Sequence, residues 1–406
     1  MSDQSGYTDS WTYRIRTNCR LCGTPRDTMK PPALDLGSTP LANELLSSTA
    51  LPQDLFPLYL VTCERCGHVQ LPVVANPERL FCNYVYQSST SETFTSHLKE
   101  FASTVKAREG AFVVEIGSND GTLLKEYKAR GCEVLGVDPA SNIADIAENK
   151  NGVPTVRAFF GRETLANWNL VGRKADLILA LNVFAHADDL GEIVEGVAGL
   201  LADDGRFVFE VGYLPSVIER GLYRVIYHEH LSYHHLAPLL PFFERYGLEV
   251  YDAERVNTQG GSVRVSVGWR DKRPRTADLV KLLAEEQKPG ALDVGKLATR
   301  IKDDRESLRF ELDEAQAAGK KVCGYGSPAQ LVTTAYALGL SHSDIAYVCD
   351  DNPLKVGKYT PGLFWPIVPT SALYDGGASV CVIFSANFAG EIVNRHASWE
   401  GDWVIP

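Results

Sequence analysis

Short apolar runs alternate with helix-length segments through the middle of the chain. The runs that resemble buried strands are Ala111–Ile116, Glu133–Asp138, Leu177–Leu181 and Arg206–Val211. Apolar strands separated by helices are typical of a parallel sheet whose faces are covered by helices. The pattern therefore predicts an α/β domain over residues 76–270.

The last part of the chain, residues 271–406, carries a second and shorter version of this pattern. It begins with a charged stretch, Asp271–Gly319, in which leucines recur at helical spacing and turn residues are few. The strand-like runs that follow are Lys321–Gly324, Ile345–Asp350 and Ala378–Phe384, with a helix at Pro328–Gly339. We predict a helical connector and a smaller C-terminal α/β domain of Rossmann-like character.

Residues 1–75 differ from both α/β blocks because they show little helical periodicity and are rich in Cys, Pro and Leu. Two knuckles of the form Cys-x-x-Cys-Gly stand in this block, one formed by Cys19 and Cys22 and one by Cys63 and Cys66. Four thiolates suit a closed tetrahedral Zn²⁺ site. Because the protein fills every position of such a site, we predict an N-terminal zinc-binding domain whose metal is structural, not catalytic.

Two alternatives to zinc stay open for these knuckles: unrelated cysteine pairs in loops, and a redox-active Cys-x-x-Cys. The 40 residues between the pairs exceed the usual zinc-ribbon spacing of about 15–20, which implies a longer insert. The glycine after each pair favours zinc, because a tight turn there needs positive φ. The remaining cysteines are expected to be core residues: Cys82, Cys132, Cys323, Cys349 and Cys381.

Composition and charge narrow the range of partners. The 406 residues are 45% hydrophobic, enough for ordinary globular cores, and 51 acidic against 40 basic residues give a net charge of −11. No block of Lys and Arg stands out, so we expect no nucleic-acid partner. The N-terminus is polar, without the apolar core of a signal peptide, and no run of about 18 apolar residues follows. We therefore expect a cytoplasmic protein that has no membrane partner.

A glycine turn after the first strand of the 76–270 block is the candidate cofactor site. The turn and its flanks supply Glu115, Gly117, Ser118, Asn119, Asp120 and Gly121. A dinucleotide fingerprint would need G-x-G-x-x-G here, with a pyrophosphate at the helix N-terminus. The acid inside this turn would repel a pyrophosphate, but it would not repel the ammonium group of S-adenosylmethionine.

The next strand ends at Asp138-Pro139, which places an acid where the hydroxyl groups of a ribose would lie. The turn and this acid together resemble the E/D-x-G-x-x-x-G pattern of class I methyltransferases; a generic α/β turn is the alternative. We therefore predict a class I, Rossmann-like domain that binds S-adenosylmethionine. Asn182, which follows the fourth strand, is expected to contact the cofactor from the same edge of the sheet.

A loop rich in histidine and tyrosine follows the fifth strand and is the candidate catalytic loop. Its sequence is Tyr227-His228-Glu229-His230-Leu-Ser-Tyr233-His234-His235. Open α/β sheets bind ligands beyond the carboxyl ends of their strands, and imidazole groups transfer protons near neutral pH. His186, after the fourth strand, is expected at the same edge. A second metal site and a solvated surface loop stay open as alternatives.

These motifs resemble the sugar C-methyltransferases that act on nucleotide-linked 4-keto deoxyhexoses in antibiotic sugar pathways. The resemblance spans nearly the whole chain, and its most specific string is Tyr227-His-Glu-His230-Leu-Ser-Tyr233. Further shared strings are Tyr84-Val-Tyr86-Gln-Ser-Ser, Gly260-Gly261-Ser262-Val-Arg264, Gly324-Tyr-Gly326-Ser-Pro-Ala329 and Asp350-Asp-Asn-Pro353. The resemblance implies methylation at C3 of a nucleotide-diphosphate 4-keto sugar, with dTDP as the expected nucleotide and S-adenosylmethionine as donor. We expect the chain to act as a monomer.

The resemblance also implies roles for residues of the candidate catalytic loop. His230 would be the base that removes the C3 proton, and Glu229 would orient it. Tyr227 and His186 would hold the sugar oxygens and stabilise the enolate.

Two further regions take expected roles from the same resemblance. Tyr84 and Tyr86 would approach the active site from the segment that joins the zinc and cofactor domains. The C-terminal turn at Gly324 would either contribute to binding of the nucleotide diphosphate or form a wall of the cleft.

Two other functions compete with sugar methylation. An NAD-dependent nucleotide-sugar dehydrogenase or epimerase would also use a Rossmann turn, but the cofactor turn lacks G-x-G-x-x-G and the chain lacks Y-x-x-x-K. A non-catalytic zinc-ribbon protein that binds a partner would not need the residues of the cofactor turn and would be expected to have lost them. The turn keeps these residues.

Overall fold

The computed structural model describes residues 12–25, 29, 32–82, 84, 86–168 and 170–406. Residues 1–11, which make up most of the polar segment that argues against a signal peptide, lie outside this part of the chain. No helix in the described ranges combines the length and the apolar character that a membrane crossing requires.

The N-terminal block is a small β domain built around the four cysteines. Its elements are β1 (Tyr13–Ile15), β2 (Leu34–Thr39), β3 (Phe56–Thr62), β4 (Val69–Gln70), β5 (Val73–Ala75) and α1 (Pro77–Phe81). Alternate residues of β3, namely Phe56, Leu58 and Leu60, are buried. This two-residue period is what a strand with one face on a core requires.

The central block is the larger α/β domain. Its elements are α2 (Glu92–Thr104), β6 (Phe112–Ile116), α3 (Thr122–Lys128), β7 (Glu133–Val137), α4 (Ser141–Asn151), β8 (Thr155–Val156), α5 (Arg162–Asn167), β9 (Ala175–Leu181), α6 (Leu190–Leu200), β10 (Leu201–Gly212), α7 (Leu214–Glu219), β11 (Ser232–Tyr233), α8 (Leu236–Glu244), β12 (Leu248–Val256) and β13 (Ser262–Trp269). The four strands predicted here correspond to β6, β7, β9 and β10, and β10 begins earlier than predicted.

The central sheet has seven strands in the order β12-β13-β10-β9-β6-β7-β8 and is parallel except at one position. β13 runs antiparallel to both β10 and β12. Only residues 257–261 join β12 to β13, and a parallel pair would need a crossover of about a dozen residues or more. The apolar pattern predicted a parallel sheet without this reversal.

β11 belongs to the sheet of the N-terminal domain and not to the central sheet. Its Ser232 pairs with Gln70 of β4, and its Tyr233 pairs with Val69. The result is a four-stranded antiparallel sheet in the order β11-β4-β3-β2. The loop that carries the predicted base is therefore attached to the cysteine-containing domain.

The C-terminal block contains the predicted helical connector and the second α/β unit. Its elements are α9 (Ala277–Glu286), α10 (Gly295–Ala317), β14 (Val322–Tyr325), α11 (Gln330–Ala337), β15 (Val348–Asp350), β16 (Ile367–Pro369), α12 (Ala372–Asp375), β17 (Val380–Ile383), α13 (Ala389–Arg395) and β18 (Asp402–Val404). Five strands form a wholly parallel sheet in the order β16-β15-β14-β17-β18. Its topology confirms the predicted Rossmann-like unit.

The three blocks share buried surface. One apolar cluster joins Leu60 of β3, Ile226 before the histidine-rich loop, Leu297 of α10 and Leu331 of α11. Side chains at the carboxyl ends of both parallel sheets line a common cavity of about 1340 Å³. The domain limits at residues 75 and 270 stay predictions, because side chains from all three blocks pack in the same apolar cluster.

Candidate active site and metal centre

The four predicted metal ligands converge at one point. The Sγ atoms of Cys19 and Cys66 lie 3.7 Å apart, those of Cys22 and Cys63 lie 3.6 Å apart, and all four lie within 4.8 Å of one another. A tetrahedral ion with metal–sulfur bonds of about 2.3 Å needs sulfur atoms about 3.8 Å apart. The cysteines are free thiols, so the cluster fits zinc, and the alternative of two unrelated loop pairs is wrong.

The backbone of each knuckle explains the glycine that follows it. Gly23 N donates to Cys19 O at 3.0 Å, and Gly67 N donates to Cys63 O at 2.8 Å. Both glycines have positive φ, at 72° and 79°, where a side chain would strain the turn. These turns point the cysteine sulfurs of both knuckles toward one position.

The cofactor turn is fastened to the acid at the end of the neighbouring strand. Gly117 N donates to Val137 O at 2.7 Å, and Asn119 N donates to Asp138 Oδ2 at 2.9 Å. Asp138 Oδ1 accepts from Ala140 N. Each carboxylate oxygen therefore keeps a lone pair, which a ribose hydroxyl could use. Burial raises the pKa of Asp138.

Gly117 is required by both backbone and space. Its φ is +64°, and a Cβ built there would lie only 2.3 Å from Cγ2 of Val183. Asn119 and Asn182 also have positive φ, at 48° and 56°, which asparagine tolerates better than most residues. The turn thus lies close against the segment that follows β9.

The structure divides the predicted cofactor residues into two groups. The residues that line the cavity are Gly117, Asn119, Asp138, Pro139 and Asn182. The residues that do not line the cavity, all of them buried, are Glu115, Ser118, Asp120 and Gly121.

Asp120 and Glu115 show what the buried residues outside the cavity lining do. The Asp120 carboxylate accepts from Thr122 N and Oγ1 in α3 and from Ser89 N. It therefore binds the first residue of α3 and joins the segment at Ser89 to the turn. The expectation that Asp120 faces the ligand is not supported by this placement. Burial and the charges of Asp120 and Asp138 raise the pKa of Glu115 well above its ordinary range.

His230 is held in one tautomer by the backbone. Its Nδ1 lies 2.7 Å from Val225 O, and since a carbonyl only accepts, Nδ1 carries the proton of the neutral ring. Nε2 is then the basic nitrogen, and it accepts from Tyr227 Oη at 3.1 Å. Burial lowers the pKa of His230 to about 4, so the ring is neutral near pH 7. Both side chains line the cavity.

Glu229 does not orient His230, which corrects the expectation drawn from the resemblance. Its Oε1 accepts from Asn43 Nδ2 at 2.6 Å, and its Oε2 accepts from Tyr84 Oη at 2.9 Å. Burial raises the pKa of Glu229 to about 7. Neighbouring residues of this loop point apart, so the Val225 carbonyl supplies the orientation instead.

His228 leaves the site in a third direction, with Nε2 3.2 Å from Pro57 O. The side chains of residues 228–230 thus enter separate surroundings. The loop is largely buried, which also argues against a solvated surface loop. Within the described residues the four cysteines form the one cluster of possible metal ligands.

His186 lies beside His230, as predicted. The two ring centroids are 5.0 Å apart, and the ring of Phe81 stacks on His186 at 5.7 Å. Burial, with a smaller effect of His230, lowers the pKa of His186 well below its ordinary range. A second neutral imidazole therefore faces the same part of the cavity.

Both predicted tyrosines line the cavity, at different places. Tyr84 reaches Glu229 through its hydroxyl group. Tyr86 is half-exposed beside the cofactor turn, where Asn119 Nδ2 donates to its carbonyl oxygen at 3.2 Å. Partial burial, and to a lesser extent the charge of Asp120, raises the pKa of Tyr86 to about 12. The rings are 6.4 Å apart in an edge arrangement.

Sequence reasoning missed Asn43 and Val225. Asn43 lies 186 positions from the carboxylate that it contacts, and no spacing pattern surrounds it. Val225 acts only through its backbone carbonyl, which carries no sequence signal. Neither residue could be found from local motifs.

The C-terminal turn is held by the same kinds of hydrogen bond as the cofactor turn. Gly326 has a φ of +83°, and its N donates to Cys349 O at 2.7 Å. Ser327 N donates to Asp350 Oδ2 at 2.6 Å, and Asn352 N donates to Asp350 Oδ1 at 2.8 Å. The first turn makes the same three kinds of bond with its own strand and strand-terminal acid, but the loop N–H that binds the acid follows the glycine by two residues there and by one residue here.

A lysine accompanies this second turn. Lys355 Nζ donates to Ser327 O at 2.7 Å and lies 3.8 Å from Asp350 Oδ2. Burial lowers the pKa of Lys355. Lys355 and Asp350 line the same cavity as His230.

Comparison with protein families assigns a description to each block. The family model "Putative zinc binding domain" matches residues 19–81, "Methyltransferase domain" matches residues 86–253, and "C-methyltransferase C-terminal domain" matches residues 257–406. The order agrees with the three domains predicted from the sequence and confirms that fold class.

Comparison with individual proteins gives one relative along nearly the whole chain. The C-methyltransferase NovU of Streptomyces niveus is 33% identical over 404 residues, which cover 96% of this chain and 94% of NovU. The ubiquinone biosynthesis O-methyltransferase of Azorhizobium caulinodans is 24% identical over 117 residues, or 29% of this chain and 46% of that protein.

Solved structures similar to this one match part of the chain. Magnesium protoporphyrin IX methyltransferase from Synechocystis PCC 6803, with bound SAM, is 16% identical and covers 43% of this chain and 77% of its own, with a TM-score of 0.33. An S-adenosylmethionine-dependent methyltransferase from Clostridium acetobutylicum is 15% identical over 43% of this chain and 90% of its own, with a TM-score of 0.34.

Proposed function

Because this chain belongs to the C-methyltransferase family, we propose that it methylates C3 of a nucleotide-linked 4-keto-deoxyhexose. The chain is a methyltransferase that uses S-adenosylmethionine and holds structural zinc. Family membership decides against both the NAD-dependent dehydrogenase or epimerase and the non-catalytic zinc protein. The sugar, the base and the nucleotide site are the finer parts of the proposal.

The observation that carries the proposal is the state of His230. Carbon attacks a methyl group only when it carries negative charge, so a base must first remove a proton. A 4-keto group acidifies the C3 hydrogen, because the resulting electron pair is delocalised onto the carbonyl oxygen. His230 offers a neutral ring whose basic Nε2 is bonded to Tyr227, and both side chains line the cavity that the cofactor turn also lines.

The proposed step begins with transfer of the C3 proton to His230 Nε2. The electrons of the C–H bond move to the keto oxygen and give an enolate. The low pKa of His230 keeps its ring free to accept a proton, and the nearby enolate then stabilises the imidazolium ion. S-adenosylmethionine, when bound, would supply an electrophilic methyl group to the C3 carbanion; the S–CH3 bond would break and its electrons would stay on sulfur, so that S-adenosylhomocysteine is the leaving group.

Tyr227 and His186 are suited to hold the enolate oxygen. Burial, and to a lesser extent Glu229, raises the pKa of Tyr227 well above its ordinary range, so its hydroxyl group stays protonated and can donate. In this structure the hydroxyl donates to His230. We propose that it turns to the substrate oxygen when the sugar enters. His186, 5.0 Å from His230 between ring centroids, is close enough to share this role.

The nucleotide is proposed to bind at the C-terminal turn. The turn at Gly326 repeats the hydrogen bonds that hold the first turn to Asp138, with Asp350 as the equivalent acid. An acid in that position suits ribose hydroxyls, and Lys355 supplies a positive charge for phosphate. The cavity of about 1340 Å³ exceeds the roughly 300–1,000 Å³ of a site for one small ligand, as two ligands require.

Hydrogen exchange in D₂O tests the base. We expect the native enzyme to exchange the C3 hydrogen of a dTDP-4-keto sugar and to methylate C3 once S-adenosylmethionine is added. His230→Ala should lose both reactions by about 10²–10⁴-fold and still bind S-adenosylmethionine in a calorimeter. His342→Ala is the matched control, because that histidine also donates Nδ1 to a carbonyl, Leu363 O at 2.7 Å, and does not line the cavity.

The outcomes separate the parts of the proposal. Full activity of His230→Ala would overturn the assignment of the base and leave the family activity intact. A methylated oxygen or nitrogen in the product would overturn the carbanion mechanism itself. A panel that includes GDP-linked sugars, and sugars with an amino or hydroxyl group at C3, identifies the substrate.

A further inference from the structure

We infer that Arg20 and Asp188 are positioning residues through which the first zinc knuckle holds His186 at the active site. The inference rests on the proposed role of His186. It assigns to the N-terminal domain a part in the reaction besides its own folding.

Asp188 is the meeting point of arginines from the N-terminal domain. Arg14 Nη2 lies 2.7 Å from Oδ2, Arg16 Nη1 lies 3.0 Å from Oδ1, and Arg20 Nε donates to Oδ1 at 3.1 Å. Arg16 Nη1 also donates to the backbone carbonyl of Asp188 at 2.7 Å. One carboxylate is thus held by three cations, at the point where the central domain meets the cysteine-containing domain.

Arg20 is the innermost of these arginines. Its side chain is 0% exposed and that of Asp188 is 16% exposed. A buried charge needs a fixed partner, because water cannot replace one that is lost. Surface ion pairs contribute little to order, but this contact is shielded from solvent. Loss of the Asp188 charge would therefore disturb Arg20 more than it disturbs the exposed Arg14.

Arg20 cannot follow Asp188 if the latter moves. Its N and its Nη1 each donate to Gln70 Oε1 at 3.1 Å, and Nη1 donates to Leu71 O at 2.6 Å. Arg20 also lies between two metal ligands in the sequence Cys19-Arg-Leu-Cys22. The knuckle fixes the backbone of Arg20, and β4 fixes its guanidinium group.

Asp188 lies only two residues after His186. The segment between β9 and α6 begins at Asn182, whose N donates to Glu210 O at 2.8 Å. It ends at Asp189, whose Oδ1 caps α6 by accepting from Glu192 N. Two residues span at most about 7 Å, so the position of the Asp188 carboxylate limits where the ring of His186 can lie.

The same domain also holds the loop of the proposed base. Ser232 of β11 pairs with Gln70 of β4, which is the residue that fixes Arg20. Leu231 N and Ser232 N donate to Ala185 O at 2.9 and 3.1 Å. His186 and the base loop are thus fastened to each other and to one residue of the N-terminal sheet. The zinc knuckle is positioned to align them.

Replacing Asp188 by asparagine tests the inference, since it keeps the shape and removes the charge. Asp188→Asn should keep about one zinc per chain and bind S-adenosylmethionine within about twofold of the native enzyme. We expect kcat to fall about 10- to 100-fold, because small misplacements at an active site have effects of this size. KM for the sugar should change less than kcat.

A spectroscopic measurement makes the test independent of the substrate. In protein with ¹⁵N-labelled histidine, the His186 ring signals, identified by their loss in His186→Asn, should shift or broaden in Asp188→Asn. Asp145→Asn is the matched control: it removes the same charge from an exposed pair with Arg157 and should leave His186 and turnover unchanged. If no tested sugar is a substrate, the proposed function fails, but the His186 signal still decides the positioning role.

A second variant keeps the test valid if Asp188→Asn does not fold. Asp188→Glu keeps the charge and moves it by one methylene group, so it should fold with zinc bound, shift the His186 signal and lower kcat. Native His186 signals and native kcat in a zinc-loaded Asp188 variant would overturn the inference. Equal losses in Asp188→Asn and in Asp145→Asn would also overturn it, because a general effect of charge would then explain the result.

Discussion

Gly117→Ala tests the cofactor turn without relying on any assumption about the substrate. The native φ of +64° lies in the left-handed region, and the added Cβ would lie 2.3 Å from Cγ2 of Val183. The substitution therefore introduces two distinct strains, one in the backbone and one between side chains. Each has a different expected effect.

General costs of such strains set the expected magnitude. A left-handed conformation costs a residue with a Cβ about 1–2 kcal/mol. The contact with Val183 is overpacking, which costs about 1–3 kcal/mol in a well-packed region. Val183 follows Asn182, so relief of the clash displaces two walls of the cofactor site. We expect the affinity for S-adenosylmethionine to fall 10- to 100-fold, which is about 1.4–2.8 kcal/mol.

Calorimetric titration with S-adenosylmethionine and denaturant unfolding measure the two effects separately. Gly152→Ala is the control for backbone strain, since Gly152 has the same φ of +64° and a Cβ there would meet only the end of the Lys128 side chain. It should lose about 1–2 kcal/mol of stability and keep its affinity. In Gly117→Ala, adding Val183→Ala should restore most of the affinity.

Native affinity in Gly117→Ala would refute the reasoning, because the turn would then tolerate a side chain at its closest approach. Failure of Val183→Ala to restore any affinity would show that backbone strain alone, and not the contact with Val183, governs the site. A loss of affinity in Gly152→Ala would point to a general loss of folded protein. Calorimetric titration under conditions in which more than about 90% of each variant is folded removes that last ambiguity.

Three further predictions concern the metal, the ribose acid and a buried carboxyl group. Purified protein should contain about one zinc per chain, and Cys63→Ser should lower both zinc content and the midpoint of thermal unfolding; metal-free native protein would contradict this. Asp138→Ala should weaken binding of S-adenosylmethionine by about 1–3 kcal/mol in calorimetry, and an unchanged affinity would place the ribose acid elsewhere. The pKa of Glu229 is raised from 4.5 to about 7 by burial, so the stability that its neutral form contributes is complete below pH 4.5 and is lost as pH rises through 7. The free energy of unfolding of Glu229→Gln, measured in urea relative to that of the native protein, should thus rise by up to about 3 kcal/mol from pH 5 to pH 8. Parallel pH profiles for the two proteins would argue against a buried, neutral carboxyl group.

The turns at Gly117 and Gly326 show which features of the fold the local sequence can predict. Gly117 and Asp138 predicted a cofactor turn because glycine spacing and a strand-terminal acid are local features that a few residues encode. The sequence Gly324-Tyr-Gly326 also predicted a turn, but its equivalence to the first one emerged only from matching hydrogen bonds to Asp350. Those bonds depend on which strand lies next to β14, and sheet order is a property of the whole domain.

Glu229 shows why the direction of side chains in the catalytic loop could not be predicted. Residues 228–230 have no regular period, so neighbours need not share a face. Asn43 and Tyr84 bind Glu229 from 186 and 145 positions away. Packing of the N-terminal sheet against the central domain brings them together, and no local pattern records that packing.

Short stretches of the sequence are enough to predict the two cysteine knuckles, the apolar strands with their intervening helices, and the glycine turns. These depend on backbone conformation and on burial of alternate or continuous apolar positions, which act over a few residues. Three other features follow only from the way the domains pack: β11 joins the N-terminal sheet, Val225 orients His230, and Arg20 holds Asp188. Each of these contacts joins groups whose approach is selected by the fit of whole domains, because a hydrogen bond or ion pair forms wherever packing leaves a partner within reach.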